Sequence, residues 1–126
     1  PMNDAALRLA LIAIAAITVV SGLTQLVAPG FVLSTLGSET GPAAQHLFAT
    51  VGMFMAITGA MFLQTLWRRS TEGAVPLWIG VQKFAAFLLV GWGVAKGLFA
   101  SLALGVAGFD LVSALLIWLY LRRGLQ

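Results

Sequence analysis

The sequence predicts an all-α integral membrane protein, a four-helix bundle that forms a single domain of residues 1–126. Composition is the first observation: 60% of the residues are hydrophobic, 9% are charged and the mean hydropathy is +1.01, whereas about a quarter of an ordinary soluble domain is charged. Length is the second, because a spanning helix takes about 20 residues, so 126 residues leave room for about four spans and no second domain. The third is that charged residues gather at the ends of the apolar stretches.

Four apolar stretches are each long enough to cross a bilayer as a helix. The predicted spans are, in chain order, about 7–28, 43–67, 76–97 and 101–121. Pro29 ends the first stretch, and Pro76 suits the first turn of the third helix. Since further apolar stretches follow the first, we expect it to be a retained span and not a cleaved signal peptide. The segment before the second span mixes apolar residues with turn formers, which predicts a short helix along the membrane surface.

Basic residues are distributed unevenly between the two ends of the predicted bundle. One end collects Arg8, Arg68, Arg69, Arg122 and Arg123. Only Lys96 falls at the other end, so the positive-inside rule places both termini in the cytoplasm. The aromatic residues at the same basic end, as expected of an interfacial belt, are Trp67, Trp78, Trp118 and Tyr120.

Charge and residue types exclude several classes of function. The formal net charge is +3, but the basic residues are scattered over span ends and form no stripe for a nucleic acid. The chain has no cysteine, which excludes disulfides and thiolate metal sites. Its one histidine cannot supply both axial ligands of a haem, except across a dimer. The sequence contains no phosphate-binding loop, dinucleotide fingerprint or nucleophile–base set. It therefore identifies no cofactor, and we expect a non-catalytic protein.

Small and polar residues mark the faces expected to contact other helices, because close packing rather than hydrophobic burial drives helix association in lipid. The packing stripe predicted on the second span is Ala49, Gly52, Ala56, Gly59 and Ala60. On the first span Thr18, Ser21 and Gln25 recur at helical spacing. They define a face that is predicted to be buried or wet, and not to contact lipid.

Asp110 is the charged residue in the middle of the fourth span. Its neighbours on the same helix face are small: Ala103, Ala107, Ser113 and Ala114. The residues assigned to the opposite face are Leu102, Phe109, Val112, Leu116 and Leu119. Asp110 is therefore predicted to point into the bundle, because an unpaired ionised carboxylate near the bilayer centre costs several kcal/mol.

Lys83, within the third span, is the predicted partner of Asp110. At about 1.5 Å per residue it lies roughly 10 Å deep, about 5 Å short of Asp110, a gap that the lysine stem can bridge between neighbouring helices. Two other interpretations stay open. Lys83 could extend back to the membrane surface, or Asp110 could be protonated and bonded to serine or backbone carbonyls.

A second polar group is predicted at the other end of the bundle, and its members are Gln25, Glu39, His46 and Lys96. His46 shares a helix face with Met53 and Gln64, which makes His46 and Gln64 candidate ligand-binding residues. A lone histidine at the entrance of a span is also typical of an interfacial polar residue, so both interpretations stay open.

Two segments carry a resemblance to a known family. The end of the first span, "SGLTQLVAPGF", and the second span, "HLFATVGMFMAITGAMFLQTLWRR", resemble the DoxX-like group of small four-helix membrane proteins. The resemblance implies a four-helix bundle in the bacterial inner membrane, and some members associate with quinone-linked oxidoreductases. Gln25 stands where many relatives carry a basic residue, so the resemblance transfers no catalytic residue to this chain.

The leading hypothesis is an accessory subunit, or a binder of a lipid or quinone in a pocket between helices near Asp110 and Lys83. The expected partners are membrane lipids, a quinone or another hydrophobic small molecule, and a larger membrane complex or a second copy of the chain. Two alternatives stay open: a small transporter or proton-coupled carrier that uses Asp110, and a membrane enzyme that acts on a lipid. The candidate intramembrane polar residues are Thr18, Ser21, Gln25, His46, Gln64, Lys83 and Asp110.

Overall fold

The computed structural model describes residues 2–124, and within them the chain is helical without strands. The helices are α1 (Asp4–Val27), α2 (Pro29–Thr35), α3 (Pro42–Trp67), α4 (Ala74–Ala95) and α5 (Ala103–Arg122). All except α2 have the length and composition of a membrane span. The all-α architecture with four apolar spans is thus confirmed, and α2 is the short helix predicted between the first two spans.

Local sequence explains where the helices begin. The Asn3 side chain caps α1, its Oδ1 accepting a hydrogen bond of 2.7 Å from the N–H of Ala6. Pro29 and Pro42 are the first residues of α2 and α3. A helix does not use the backbone N–H of its first residue, so the N–H that proline lacks is not needed there. The fourth span begins slightly later than predicted, because the N–H of Ala103 bonds the Ala100 carbonyl at 2.9 Å in a turn that precedes the helix.

The four spanning helices are arranged as two closely packed pairs, α1 with α3 and α4 with α5. Glycines allow the first pair to approach closely: a Cβ added to Gly22 would lie 2.6 Å from both the Gly52 carbonyl oxygen and the Ala56 nitrogen. Gly59 is also buried against α1, which confirms most of the predicted stripe. Ala60 is exposed instead, because each step of four residues rotates the stripe by about 40° around the helix.

Hydrogen bonds tie the two pairs together at both ends of the bundle. At the end where α1 begins and α5 ends, called the basic end, Arg123 Nη1 donates to the Met2 carbonyl at 2.6 Å and lies 3.2 Å from Asp4 Oδ1. At the opposite end, called the α2 end, the N–H of Ala100 donates to the Leu36 carbonyl at 2.8 Å. The loop after α2 therefore contacts the loop between α4 and α5.

Buried apolar side chains fill the half of the bundle nearer the basic end. They are Leu7, Leu11, Ile14, Ala15, Phe62, Leu66, Ile79, Ile117 and Tyr120. The outer surface is also apolar, with exposed side chains that include Leu9, Phe54 and Leu89. An apolar exterior around helices whose backbone bonds are internally satisfied is what a bilayer requires.

Candidate functional site

Thr18, Lys83 and Asp110 form a buried group that we call the polar cluster. Lys83 Nζ lies 3.4 Å from Asp110 Oδ1 and donates a hydrogen bond of 2.7 Å to Thr18 Oγ1. Thr18 and Lys83 are each 5% exposed, and Asp110 is 8% exposed. The contact predicted between Lys83 and Asp110 is confirmed, and it extends to α1 through Thr18.

Each member of the polar cluster is oriented by its own helix. Thr18 donates its hydroxyl hydrogen to the Ile14 carbonyl at 2.8 Å, which leaves an oxygen lone pair for the Lys83 ammonium. Asp110 lies on the small-residue face of α5, and the predicted face residues are all buried: Ala103, Ala107, Ser113 and Ala114. Ser113 bonds the Phe109 carbonyl of its own helix at 2.7 Å, so it is not the partner of Asp110.

Phe109 also contacts the polar cluster, which corrects its predicted place on the opposite face of α5. Lys83 Nζ lies 5.0 Å from the centre of the Phe109 ring, within the range of a cation–π interaction. Residue 109 is about 100° around the helix from Asp110, so it lies on the flank of the inward face. A long aromatic side chain can reach Lys83 from this position.

The polar cluster contains no buried polar atom without a partner. No buried side-chain nitrogen or oxygen among residues 2–124 lacks a hydrogen-bond partner. The two clefts described below are not lined by Lys83 or Asp110, and a pocket at this pair stays a prediction. The contacts within the polar cluster connect α1, α4 and α5.

One cleft lies between α3 and α4 and has a volume of about 240 Å³; we call it the α3–α4 cleft. It is lined by Thr58, Met61, Ala74, Val75, Trp78, Ile79 and Gln82. Thr58 donates to the Phe54 carbonyl at 2.8 Å, so its oxygen can still accept a bond. The Gln82 side-chain amide makes no hydrogen bond with any described residue. Gln82, whose amide is unpaired among the described residues, is therefore one of the lining residues of an almost entirely apolar cleft.

A second cleft, of about 330 Å³, opens at the basic end, and we call it the basic-end cleft. Its lining residues are Asp4, Ala5, Arg8, Leu9, Arg69 and Tyr120. Arg8 Nη2 donates to the Leu66 carbonyl at 2.7 Å, and Nε donates to the same oxygen at 3.1 Å. Arg8 thus caps the last carbonyls of α3 while its guanidinium borders the cleft.

The remaining predicted residues lie apart from the polar cluster. Gln25 is buried and its Nε2 donates to the Phe48 carbonyl at 3.3 Å, a contact between α1 and α3. Ser21 is exposed and lies about 60° around α1 from Thr18, so Thr18 and Gln25 are the buried members of the face predicted to be buried or wet. His46 and Gln64 are exposed. The predicted polar group at the α2 end does not form, since the side chains of Glu39, His46 and Lys96 make no hydrogen bond or ion pair with described residues.

The sequence interpretation missed both clefts. Gln82 was detectable as a polar residue next to Lys83 inside an apolar span, in "IGVQKFAAF". Arg8 and Arg69 were assigned to topology alone, and nothing in the sequence indicates that they border one cavity. No protein-family model, curated protein or solved structure matches the chain, so functional arguments start from these side chains.

Proposed function

We propose that the protein binds a lipid-soluble molecule with a polar head group, a lipid or a quinone, in the α3–α4 cleft. The observation that carries the proposal is the unpaired amide of Gln82 at the wall of this cleft. In this role the protein is a non-catalytic binder or an accessory subunit of a larger membrane complex.

The depth of Gln82 supports a hydrogen-bonding ligand. Gln82 is eight residues after Ala74, the first residue of α4, and about 12 Å along the helix axis. In the hydrocarbon part of a bilayer, a polar group without a partner costs several kcal/mol. A ligand carbonyl that accepts from the amide, or a hydroxyl that donates to it, removes this cost. Quinones and lipids carry such groups and dissolve in the bilayer.

The size and walls of the cleft favour a head group with its tail outside. A volume of about 240 Å³ is below the range of about 300–1,000 Å³ typical of pockets that enclose a whole ligand. Trp78 lies one turn before Gln82 and is 65% exposed, so its ring provides a flat apolar wall beside the amide. The Thr58 oxygen on α3 offers an acceptor on the opposite side.

We also infer the orientation and the relatives of the protein. The charge bias between the two ends supports a basic end that faces the cytoplasm, with both termini inside. The two segments that resemble DoxX-like proteins support the bacterial inner membrane as its location. Quinone-linked complexes in such membranes are then natural partners for a quinone binder.

Replacing Gln82 by leucine is expected to weaken quinone binding by roughly tenfold, the effect of losing one hydrogen bond of about 1.4 kcal/mol. Binding of a short-tailed ubiquinone or menaquinone to protein in detergent can be followed by quenching of tryptophan fluorescence. Gln64→Leu is the matched control, since Gln64 is an exposed glutamine of α3 outside the cleft. Mass spectrometry of the membrane-purified protein identifies the natural ligand.

Two results would contradict the proposal. Equal quinone affinities of the Gln82→Leu and Gln64→Leu variants would show that the Gln82 amide does not contribute to binding. The binding function would be contradicted if the protein were purified from native membranes without a stoichiometric lipid or quinone and also bound none of the added quinones.

A second candidate function, a small proton-coupled carrier, is favoured by the position of the polar cluster. Lys83 connects α4 to Thr18 on α1 while it pairs with Asp110 on α5. A proton on Asp110 would remove the counter-charge of the Lys83 ammonium, the group that joins the two helix pairs through Thr18. In proteoliposomes, Asp110→Asn should then abolish pH-dependent substrate flux. Absence of flux with the unmodified protein for every substrate tested would leave the binder as the function.

A further inference from the structure

Each of the helices α2 to α5 is followed, within two residues, by a residue with left-handed backbone. One of these four residues is not glycine. Gly37, Gly97 and Gly124 hold this position after α2, α4 and α5, with φ of 69°, 77° and 65°. Arg69 holds it after α3 with φ of 53°. Glycine is favoured there because a Cβ is strained in the left-handed region. The backbone at the end of α3 therefore does not explain an arginine.

The end of α3 is otherwise built like the ends of α2 and α4. The N–H of Ser70 bonds the Thr65 carbonyl at 3.1 Å, as that of Ser38 bonds the Leu33 carbonyl and that of Leu98 the Gly93 carbonyl, both at 2.9 Å. A glycine would fit this turn better than Arg69. What Arg69 adds is its side chain, which lines the basic-end cleft and makes no hydrogen bond or ion pair with the described residues.

We propose that Arg69 and Arg8 bind the phosphate of an anionic phospholipid head group in the basic-end cleft. Arg8 is held in place by its bonds to the end of α3, and its Nη1 makes no hydrogen bond within residues 2–124. A planar guanidinium with free donors matches phosphate oxygens, and two such groups at one cleft form a site for a doubly coordinated phosphate.

The charges around the cleft favour an anion. The carboxylate that lines it, Asp4, lies 3.2 Å from Arg123 Nη1 and is thereby balanced by a basic residue outside the cleft lining. Arg8 and Arg69 are not balanced in this way within the described residues. Arg122 is directed elsewhere, since its guanidinium lies 4.9 Å from the Trp118 ring. The cleft thus carries two arginines and one compensated carboxylate.

The apolar surroundings indicate a lipid as the source of the phosphate. Leu9 lines the cleft and is 62% exposed, on a helix that continues into the apolar exterior of the bundle. Trp67, which precedes the two arginines at the end of α3, is 72% exposed and is suited to the head-group level of a membrane. A head group in the cleft would leave its acyl chains along this surface.

The test uses the full chain in vesicles of phosphatidylcholine with and without phosphatidylglycerol, followed by extraction in mild detergent. Phosphatidylglycerol that stays bound is counted by native mass spectrometry at a series of lipid concentrations. We expect Arg69→Gly to weaken phosphatidylglycerol binding roughly tenfold while the melting temperature stays the same or rises, because glycine suits the left-handed turn. Arg68→Ala removes a neighbouring exposed charge outside the cleft and should change binding less than about twofold.

Three results would overturn the proposal. Equal losses for Arg69→Gly and Arg68→Ala would show a general attraction to the basic end. Equal retention of phosphatidylcholine and phosphatidylglycerol would remove the preference for an anionic lipid. Full displacement of the lipid by inorganic phosphate would assign the site to the free ion. Because Gln82 is remote in sequence and lines a different cleft, failure here leaves the quinone test unaffected.

Discussion

Replacing Asp110 by leucine while Lys83 is retained should lower the free energy of unfolding by about 3–5 kcal/mol, the usual loss when one partner of a buried ion pair is removed. Lys83 is only 5% exposed, so its ammonium would be left buried without a counter-charge. Its one remaining hydrogen-bond partner would be the Thr18 hydroxyl. Lys83→Met should be similarly harmful, because it leaves the Asp110 carboxylate without a counter-charge. Loss of helical circular dichroism against denaturant in detergent micelles measures both effects.

The double variant, Lys83→Met with Asp110→Leu, is expected to be more stable than either single variant. Two apolar side chains leave no buried charge, so most of the lost free energy should return. Ser113→Ala is the control, since Ser113 is fully buried beside the pair but bonds its own helix, and we expect a loss of only about 0.6 kcal/mol. Additive effects of the two single substitutions would show that the ion pair contributes no coupling.

The fold could be predicted from the sequence because the bilayer limits the possible structures. Hydrocarbon admits only helices and closed barrels, so length and hydropathy indicate the spans without any knowledge of tertiary contacts. The predicted helix bounds match the observed ones within three residues. The stop signal at Pro29 accounts for the agreement at the end of α1, whereas α1 begins at Asp4, three residues before the predicted start.

The polar cluster could be predicted because charged residues within spans are rare and costly. Asp110 had to face protein, and Lys83 was the charged side chain at a compatible depth. The role of Thr18 was only half predicted: its face was recognised, but helical spacing does not show which other helix lies opposite. Helical spacing placed Phe109 outside and did not distinguish the exposed Ser21 from the buried Thr18, because Phe109 and Ser21 each lie at the edge of a face where packing decides the outcome.

The clefts could not be predicted because each depends on how two or more helices meet. Gln82 and Thr58 are 24 positions apart in the sequence and share a cavity only through the relative placement of α3 and α4. Arg69 differs from its neighbour Arg68 in its left-handed backbone and in lining the basic-end cleft, and both properties depend on where the helix ends. The clefts in this protein are therefore determined by how the helices are placed, whereas its spans are determined by the composition of each segment.

Introducing alanine at Gly52 should destabilise the bundle by about 1–3 kcal/mol, the range of an overpacked core. The added Cβ would lie 2.6 Å from the Gly22 carbonyl oxygen, 2.6 Å from Gln25 Cβ and 2.9 Å from the Leu26 nitrogen. Two of these atoms belong to the backbone of α1, so no side-chain rotation relieves the clash and α1 must move away from α3. Unfolding in detergent by the assay described for Asp110 measures the loss.

Gly105→Ala supplies the matched control for Gly52→Ala, because a Cβ at Gly105 meets nothing within 4 Å. In α5 this change should be neutral or stabilising by up to about 1 kcal/mol, the difference in helix propensity between alanine and glycine. A propensity gain also applies at Gly52, so a lower stability of Gly52→Ala than of Gly105→Ala reports the clash at the helix crossing. If Gly52→Ala were as stable as Gly105→Ala, close approach at Gly22 would not hold α1 against α3. The position of Thr18 beside Lys83, which depends on where α1 lies, would then need another cause.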